Sequence, residues 1–273
     1  MRTSLFAAFL IATATTAQAD IVSSGTGFIV NADGDIVTNQ HVILYRDDAG
    51  DVRRCGGLQI VGLGFDGAAQ VVGEAPRQDL AVLRFVELAD GGRPPRVQQP
   101  TAAPPPPPAR GGWRNVVEAT ARRGSVPQQQ QSAESGFAVF AVERPTPGES
   151  VVAYGFPFGD LLSDEPKVST GIVSALSGVA NNVNNLQHTA PINPGNSGGP
   201  LLDGQARVVG VNNARLAIDG QQNTNFAIHG AVVTQLLDSL GVAYSRVGNG
   251  ATATVPDIAR RANGFTVKIL CHA

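Results

Sequence analysis

Residues 194–200 read Pro194-Gly195-Asn196-Ser197-Gly198-Gly199-Pro200. Gly-Gly-Pro after the serine opposes a helix, so this stretch is a sharp turn. Alone it is a glycine-rich turn with an ordinary serine. The same punctuation recurs along the chain, which holds 32 Gly and 18 Pro in 273 residues. Phe28-Ile29-Val30 and Ile36-Val37-Thr38 flank Asn31-Ala32-Asp33-Gly34, a hairpin signal. The run Asn31-x-Asp33-Gly34-Asp35 also resembles the start of a calcium loop, but residue 42 is Val where that loop needs Glu.

Further short strands are expected at Leu58–Val61, Ala69–Val72, Leu80–Phe85, Val151–Tyr154, Gly171–Leu176 and Val208–Val211. One helix is predicted where Val232, Val233, Leu236, Leu237 and Leu240 share a face before Gly241. The tail ends in an alternating strand, Phe265 to Ile269. These features predict an all-β protein with a short C-terminal helix. At 42% apolar and 15% charged the chain can bury a core, which excludes wholesale disorder. A net charge of −2 gives no electrostatic basis for nucleic acid as a partner.

Two segments stand outside that fold. Arg2, the apolar run Leu5–Ala12 and Ala17-Gln18-Ala19 form a cleavable signal peptide over 1–19, with the mature chain starting at Asp20. The apolar run is too short to span a bilayer, so no stable membrane anchor is expected. Export points to the periplasm or the medium, and it permits a disulfide between Cys55 and Cys271, two unpaired buried thiols being the alternative. Residues 93–131 carry Pro104–Pro108, Gln128–Gln131 and six Arg against one Glu, a linker-type insert. The division that follows is an N-terminal barrel over 20–92, an insert over 93–136, a C-terminal barrel over 137–247 and a tail over 248–273.

Three stretches, each weak alone, combine into one chemistry. A serine hydroxyl becomes a nucleophile when a neutral imidazole takes its proton. The imidazole needs a carboxylate on its other nitrogen to fix the tautomer. His41 in Thr38–Val42, Asp79 in Asp79–Leu83 and Ser197 supply these parts in the order His, Asp, Ser. Glycines beside the serine let backbone N–H groups turn inward as an oxyanion hole. Residues 195–199 also fit G-x-S-x-G, but that nucleophile elbow requires a helix after the serine and a later histidine.

GTGFIVNADGDIVTNQHVI, DLAVL, VSTGIVSAL and PINPGNSGGPLL resemble the HtrA/Deg branch of the trypsin-like serine proteases, as does VVGVNN…NFAIHGAVV. The likeness runs through most of 25–92 and 137–240. It implies two antiparallel six-stranded β-barrels of the chymotrypsin/trypsin type, with catalytic His41, Asp79 and Ser197 between them. It further implies an oxyanion hole from the N–H groups of Gly195 and Ser197, no metal and no cofactor. Pro191, six residues before Ser197, would floor the first specificity pocket, with Asn212 and Asn213 also contacting substrate. An uncharged floor predicts a small or medium apolar residue before the cut. His188 reads as a loop or pocket-wall residue rather than a second base. With Asn at 196, no carboxylate is present to receive a freed N-terminal amine. The chain leaves no room for the PDZ domains common in this branch, and little for N-terminal arms, so the oligomeric state stays open. The expected activity is hydrolysis of unfolded or extended polypeptides; the alternative is a latent protease-fold protein that binds peptides or partners.

Overall fold

Asn31 sets the first turn through its side chain. In the computed structural model, which describes residues 20–62, 64–88, 136–157, 165–215 and 223–273, Asn31 Oδ1 accepts the N–H groups of Asp33 and Asp35 at 3.0 and 3.1 Å. This joins β1 (Ile21–Ile29) to β2 (Asp35–Thr38), with Phe28 opposite Val37 and Ile29 opposite Ile36. The buried Asp35 carboxylate binds Asn31 Nδ2 at 2.7 Å and Arg84 Nε at 2.6 Å, so the acidic run is a braced hairpin turn. Residues 1–19, expected to be a signal peptide, and the expected insert over 93–131 lie outside the described residues.

After a 3-10 turn over Gln40–Ile43 come β3 (Leu44–Arg46), β4 (Val52–Arg54), β5 (Gly57–Gly62), β6 (Phe65–Ala75) and β7 (Leu80–Leu88). The second half gives β8 (Val139–Ala141), β9 (Ser150–Gly155), β10 (Lys167–Ala175), β11 (Asn185–His188), β12 (Pro200–Asp203), β13 (Val208–Arg215) and β14 (Asn225–His229). Helix α1 (Gly230–Leu240), β15 (Ser245–Val247), helix α2 (Val255–Asn263) and β16 (Thr266–His272) complete the order.

Two closed six-stranded antiparallel barrels result. The first runs β1-β16-β5-β6-β7-β2 and back to β1. The second runs β12-β9-β10-β11-β14-β13 and closes through β12–β13, with β8 and β15 added in parallel beyond β13. The strand at the end of the tail is therefore a stave of the first barrel, seated between β1 and β5, with Ile269 opposite Gly25 and Ile60. Its residues 266–271 are all buried, because Val267 and Ile269 fill the barrel interior while the sheet edges of β1 and β5 take its backbone hydrogen bonds. The disulfide between Cys55 and Cys271 fastens this stave to the link between β4 and β5.

The expected helix is α1, stopped by Gly241 in the left-handed conformation (φ 65°), which a residue with a Cβ enters at a cost. Leu240 packs on β6 at Gly73, where a Cβ would sit 2.4 Å from its Cδ2. Helix α2 was not anticipated. It buries Ile258 and Ala262 in the core and rests Ala259 against it, and Thr254 Oγ1 caps it by accepting the Asp257 N–H at 3.3 Å. One apolar cluster fills the first barrel and continues through Phe140, Tyr154 and Val233 into the contact with the second barrel. A second cluster, with Val151, Val173, Leu186 and Leu201, fills the second barrel. Burial of each large side chain contributes roughly 1.5–3 kcal/mol. Among the described residues no helix is long and apolar enough to cross a membrane.

Candidate active site

His41 lies in the 3-10 turn that follows β2, and Asp79 ends the turn that precedes β7. Because β2 and β7 are paired neighbours, with Thr38 opposite Ala81, these two ends meet. The Asp79 carboxylate then holds His41 twice: Oδ1 accepts the His41 backbone N–H at 2.9 Å, and Oδ2 meets Nδ1 at 2.7 Å. An acceptor-only carboxylate on Nδ1 places the ring proton there and leaves the Nε2 lone pair available as a base. Asp79 adopts a left-handed backbone (φ 54°, ψ 47°), an uncommon state for a residue with a side chain. Its carbonyl is fixed in return by Asn39 Nδ2 at 2.9 Å and the Gln40 N–H at 3.1 Å. The His41 side chain is 47% exposed, within reach of a substrate.

Ser197 sits in the turn that leads into β12, and this turn packs against the first barrel. Thr26 of β1 makes the junction. Its N–H donates to Ser197 O at 2.9 Å, and its hydroxyl donates to Gly195 O at 2.5 Å while accepting the Phe156 N–H at 3.0 Å. Thr38 Oγ1 donates to the Thr26 carbonyl at 2.7 Å and so completes the knot. Glycine is required here by space and by backbone. Gly195 has φ 98°, and a Cβ would fall 2.4 Å from Phe156 O. Gly198 has φ 84°, and a Cβ would fall 2.2 Å from both Thr26 O and Thr38 Oγ1. The same position lies 3.0 Å from the N of Asn39, two residues before His41. The serine turn and the histidine turn are thus in direct contact.

Within the turn, Asn196 N–H donates to Asn193 O at 2.9 Å, and Gly195 O points to Thr26. The N–H groups of Gly195 and Ser197 donate to no partner among the described residues. The Ser197 hydroxyl donates to Asn213 O at 3.1 Å and makes no hydrogen bond to His41. Asn212 is buried: its N–H donates to Gly199 O at 2.9 Å and its Nδ2 to Pro200 O at 3.2 Å, so it braces the turn. Pro191 is exposed, and its carbonyl accepts the Ser169 hydroxyl at 2.5 Å.

His188 is a strand residue inside the second barrel, opposite Asn225 of β14 and Val173 of β10. It is 0% exposed, and neither ring nitrogen has a hydrogen-bond partner among the described residues. Burial lowers its pKa to about 4, and nearby backbone groups of Phe226 and Ala190 offset only part of that shift. It is a neutral core residue of the second barrel.

Sequence reasoning brought forward His41, Asp79, Ser197, Gly195, Pro191, Asn212 and Asn213, and the fold gathers the first four with the two asparagines. It missed Thr26 and Asn39, which hold the two turns by their side chains. Their only signal is position: a buried polar residue beside a glycine in GTGF, and one two residues before the histidine.

A trypsin-like peptidase domain matches residues 25–211, the span that holds both turns. The chain belongs to the trypsin-like peptidase family. Among curated relatives, uncharacterized protein y4bJ of Sinorhizobium fredii is 32% identical over 92% of this chain and 32% of its own length. The periplasmic serine endoprotease DegP of Salmonella typhimurium is 31% identical over 85% of this chain and 38% of its own. The chain therefore spans about a third of the length of the curated relatives it matches. Among solved structures, HtrA-type protease AlgW with tripeptide superposes with a TM-score of 0.51 at 26% identity, covering 80% of this chain and 56% of that one. As a trypsin-like peptidase with HtrA/DegP relatives, the chain has a fold that agrees with the two-barrel expectation.

Proposed function

We propose that this chain is an exported serine endopeptidase that acts in the periplasm or beyond on unfolded or extended polypeptides. The observation that carries the reading is the His41–Asp79 pair on one barrel packed against a serine turn with two unengaged N–H groups on the other. In the reaction, Ser197 Oγ adds to the substrate carbonyl carbon and His41 Nε2 takes its proton. The N–H groups of Gly195 and Ser197 receive the negative oxygen, a contribution worth roughly 10²–10³ in rate per donor. As the tetrahedral species collapses the C–N bond breaks, and His41 returns the proton to the departing amine. Water then attacks the acyl-ester with His41 again as base, which frees the new carboxylate and restores the serine hydroxyl. Asp79 stays ionised throughout and stabilises the imidazolium. Pro191, six residues before Ser197, is assigned to the floor of the pocket for the residue before the cut, with Asn213 also contacting substrate, and an uncharged floor suits small or medium apolar side chains.

A specific feature favours a second reading, that of a latent peptide binder: the Ser197 hydroxyl is turned to Asn213 O. In the enzyme, substrate binding rotates it to His41 Nε2, since such bonds often form only in the substrate complex. Intact mass after a broad fluorophosphonate probe separates the two readings. One adduct on the wild type and none on Ser197→Ala, together with casein hydrolysis, is the expected result. A folded wild type without adduct would support the binder instead.

A further inference from the structure

The second barrel carries a pocket of about 120 Å³ at the start of α1, with no residue in common with the serine and histidine turns. Its lining includes Arg144, Glu143, Arg246, His229, Gly230 and Ala231. The N–H groups of the first helical turn lack intrahelical acceptors and carry the positive end of the helix dipole. In α1 that turn is Gly230-Ala231-Val232, with no acidic residue and no side chain capping it. Gly230 keeps the approach narrow and open, since a Cβ there would lie 3.2 Å from Val209 O.

The residue before the helix, His229, is 4% exposed and lines the same pocket. Its Nε2 lies 3.2 Å from the Leu176 carbonyl and so acts as donor, while Nδ1 has no hydrogen-bond partner among the described residues. Burial lowers the His229 pKa, the hydrogen bond to the Leu176 carbonyl opposes that in part, and the charge of Arg144, in the same lining, lowers it again. Arg144 forms no ion pair among the described residues. Arg246 donates to Val142 O at 3.3 Å and keeps its charge unpaired. The one carboxylate in the lining, Glu143, is engaged by the buried Arg207 at 3.2 Å. A positive helix end, two arginines and the imidazole of His229 thus line one small space.

We propose that this pocket binds a small inorganic oxyanion of the sulfate or phosphate type. The α1 N–H groups and the two guanidinium groups take its oxygens, and His229 protonates on Nδ1 to donate a further bond. Binding and His229 protonation then favour each other, so affinity rises as pH falls.

Sulfate is the suitable probe, because its charge is constant over the relevant pH range. The backbone amide NMR shifts of Gly230 and Ala231 are followed in Ser197→Ala protein as sulfate replaces chloride at fixed ionic strength. The expected result is a saturating shift whose half-saturation concentration is about threefold lower or more at pH 6 than at pH 8. The double variant Arg144→Gln/Arg246→Gln is expected to weaken binding about tenfold or more. His229→Gln should retain a saturating shift but lose its pH dependence. A shift that grows linearly, or that persists unchanged in the double variant, would mean an adventitious ion only and overturn the site. Saturable binding with no pH dependence in the parent would overturn the role of His229.

Discussion

The first barrel takes five staves from residues 21–88 and its sixth from residues 266–272, whereas the second takes all six from residues 150–229. Closure from the far end of the chain costs more loop entropy than closure among sequence neighbours. The first barrel answers with a disulfide whose halves lie 216 residues apart. The second has no disulfide among the described residues, and relies on packing and on the buried Asp203–Arg207 pair. The barrels also divide the candidate site. The first offers side chains, His41 and Asp79, each held by hydrogen bonds to the other's turn. The second offers backbone, a glycine turn with no room for a single Cβ at two positions. A reactive side chain can be positioned by one well-placed carboxylate, whereas an anion-receiving backbone needs space, special dihedrals and an outside clamp.

The largest expected effect lies in the first barrel's contribution. Asp79→Asn keeps the left-handed backbone, which Asn tolerates, but offers His41 an amide in place of a carboxylate. Peptidase kcat should fall roughly 10⁴-fold with folding unchanged, measured by steady-state kinetics beside circular dichroism. A fall under tenfold would mean that the pair is not catalytic.

Next comes the tie between the chain ends. Cys55→Ser/Cys271→Ser should lose up to roughly 5 kcal/mol of stability in urea unfolding, because the loop it closes is long. Turnover at 25 °C should stay near the parent value as long as the first barrel is folded. Equal midpoints for both proteins would mean that the sixth stave needs no covalent help.

Acid should test the second barrel. His188 titrates at about 4 in the folded chain against an ordinary imidazole value near 6.5. Between these values the unfolded chain binds the extra proton, so stability is complete above pH 6.5 and is lost as pH falls towards 4. The loss amounts to roughly 3 kcal/mol over that window, and His188→Leu should remove it from the difference between unfolding at pH 7 and pH 4.5. An unchanged acid slope in the variant would place the sensitivity elsewhere.

The smallest effect sharpens the junction itself. Thr26→Val retains shape but deletes the hydroxyl that holds Gly195 O and receives the Phe156 N–H. If the proposed oxyanion hole is right, loss of one donor's alignment should lower kcat about 10²-fold with KM little changed. A KM effect alone would assign Thr26 to substrate binding instead.

Much of this was legible in local sequence. The Asn31–Gly34 turn, the α1 stripe and the serine turn each announce themselves through residues within one turn of structure. The seat of β16 did not, because an alternating strand carries no mark of which sheet edge it will join, and its partners β1 and β5 lie more than 200 residues earlier. Helix α2 was hidden for a different reason: it meets the core with one large apolar residue, Ile258, and two alanines, too little for a helical stripe. Its Thr254-x-x-Asp257 cap and Pro256 were nevertheless present as a start signal. In the candidate site, His41, Asp79 and Ser197 could be named from sequence, because their residue types and order suit one chemistry. Thr26, whose work depends on a contact 169 residues away, could not.

The seat of β16 has a consequence for the order of synthesis. A ribosome delivers His41 and Asp79 early, while the stave that completes their barrel arrives only with residues 266–272. The second barrel, whose staves end at residue 229, can close first and wait with its serine turn unclamped. Thr26 reaches that turn from a strand that pairs along most of its length with β16. The clamp between the serine turn and the histidine turn therefore waits on β16, whose arrival completes the barrel that carries Thr26.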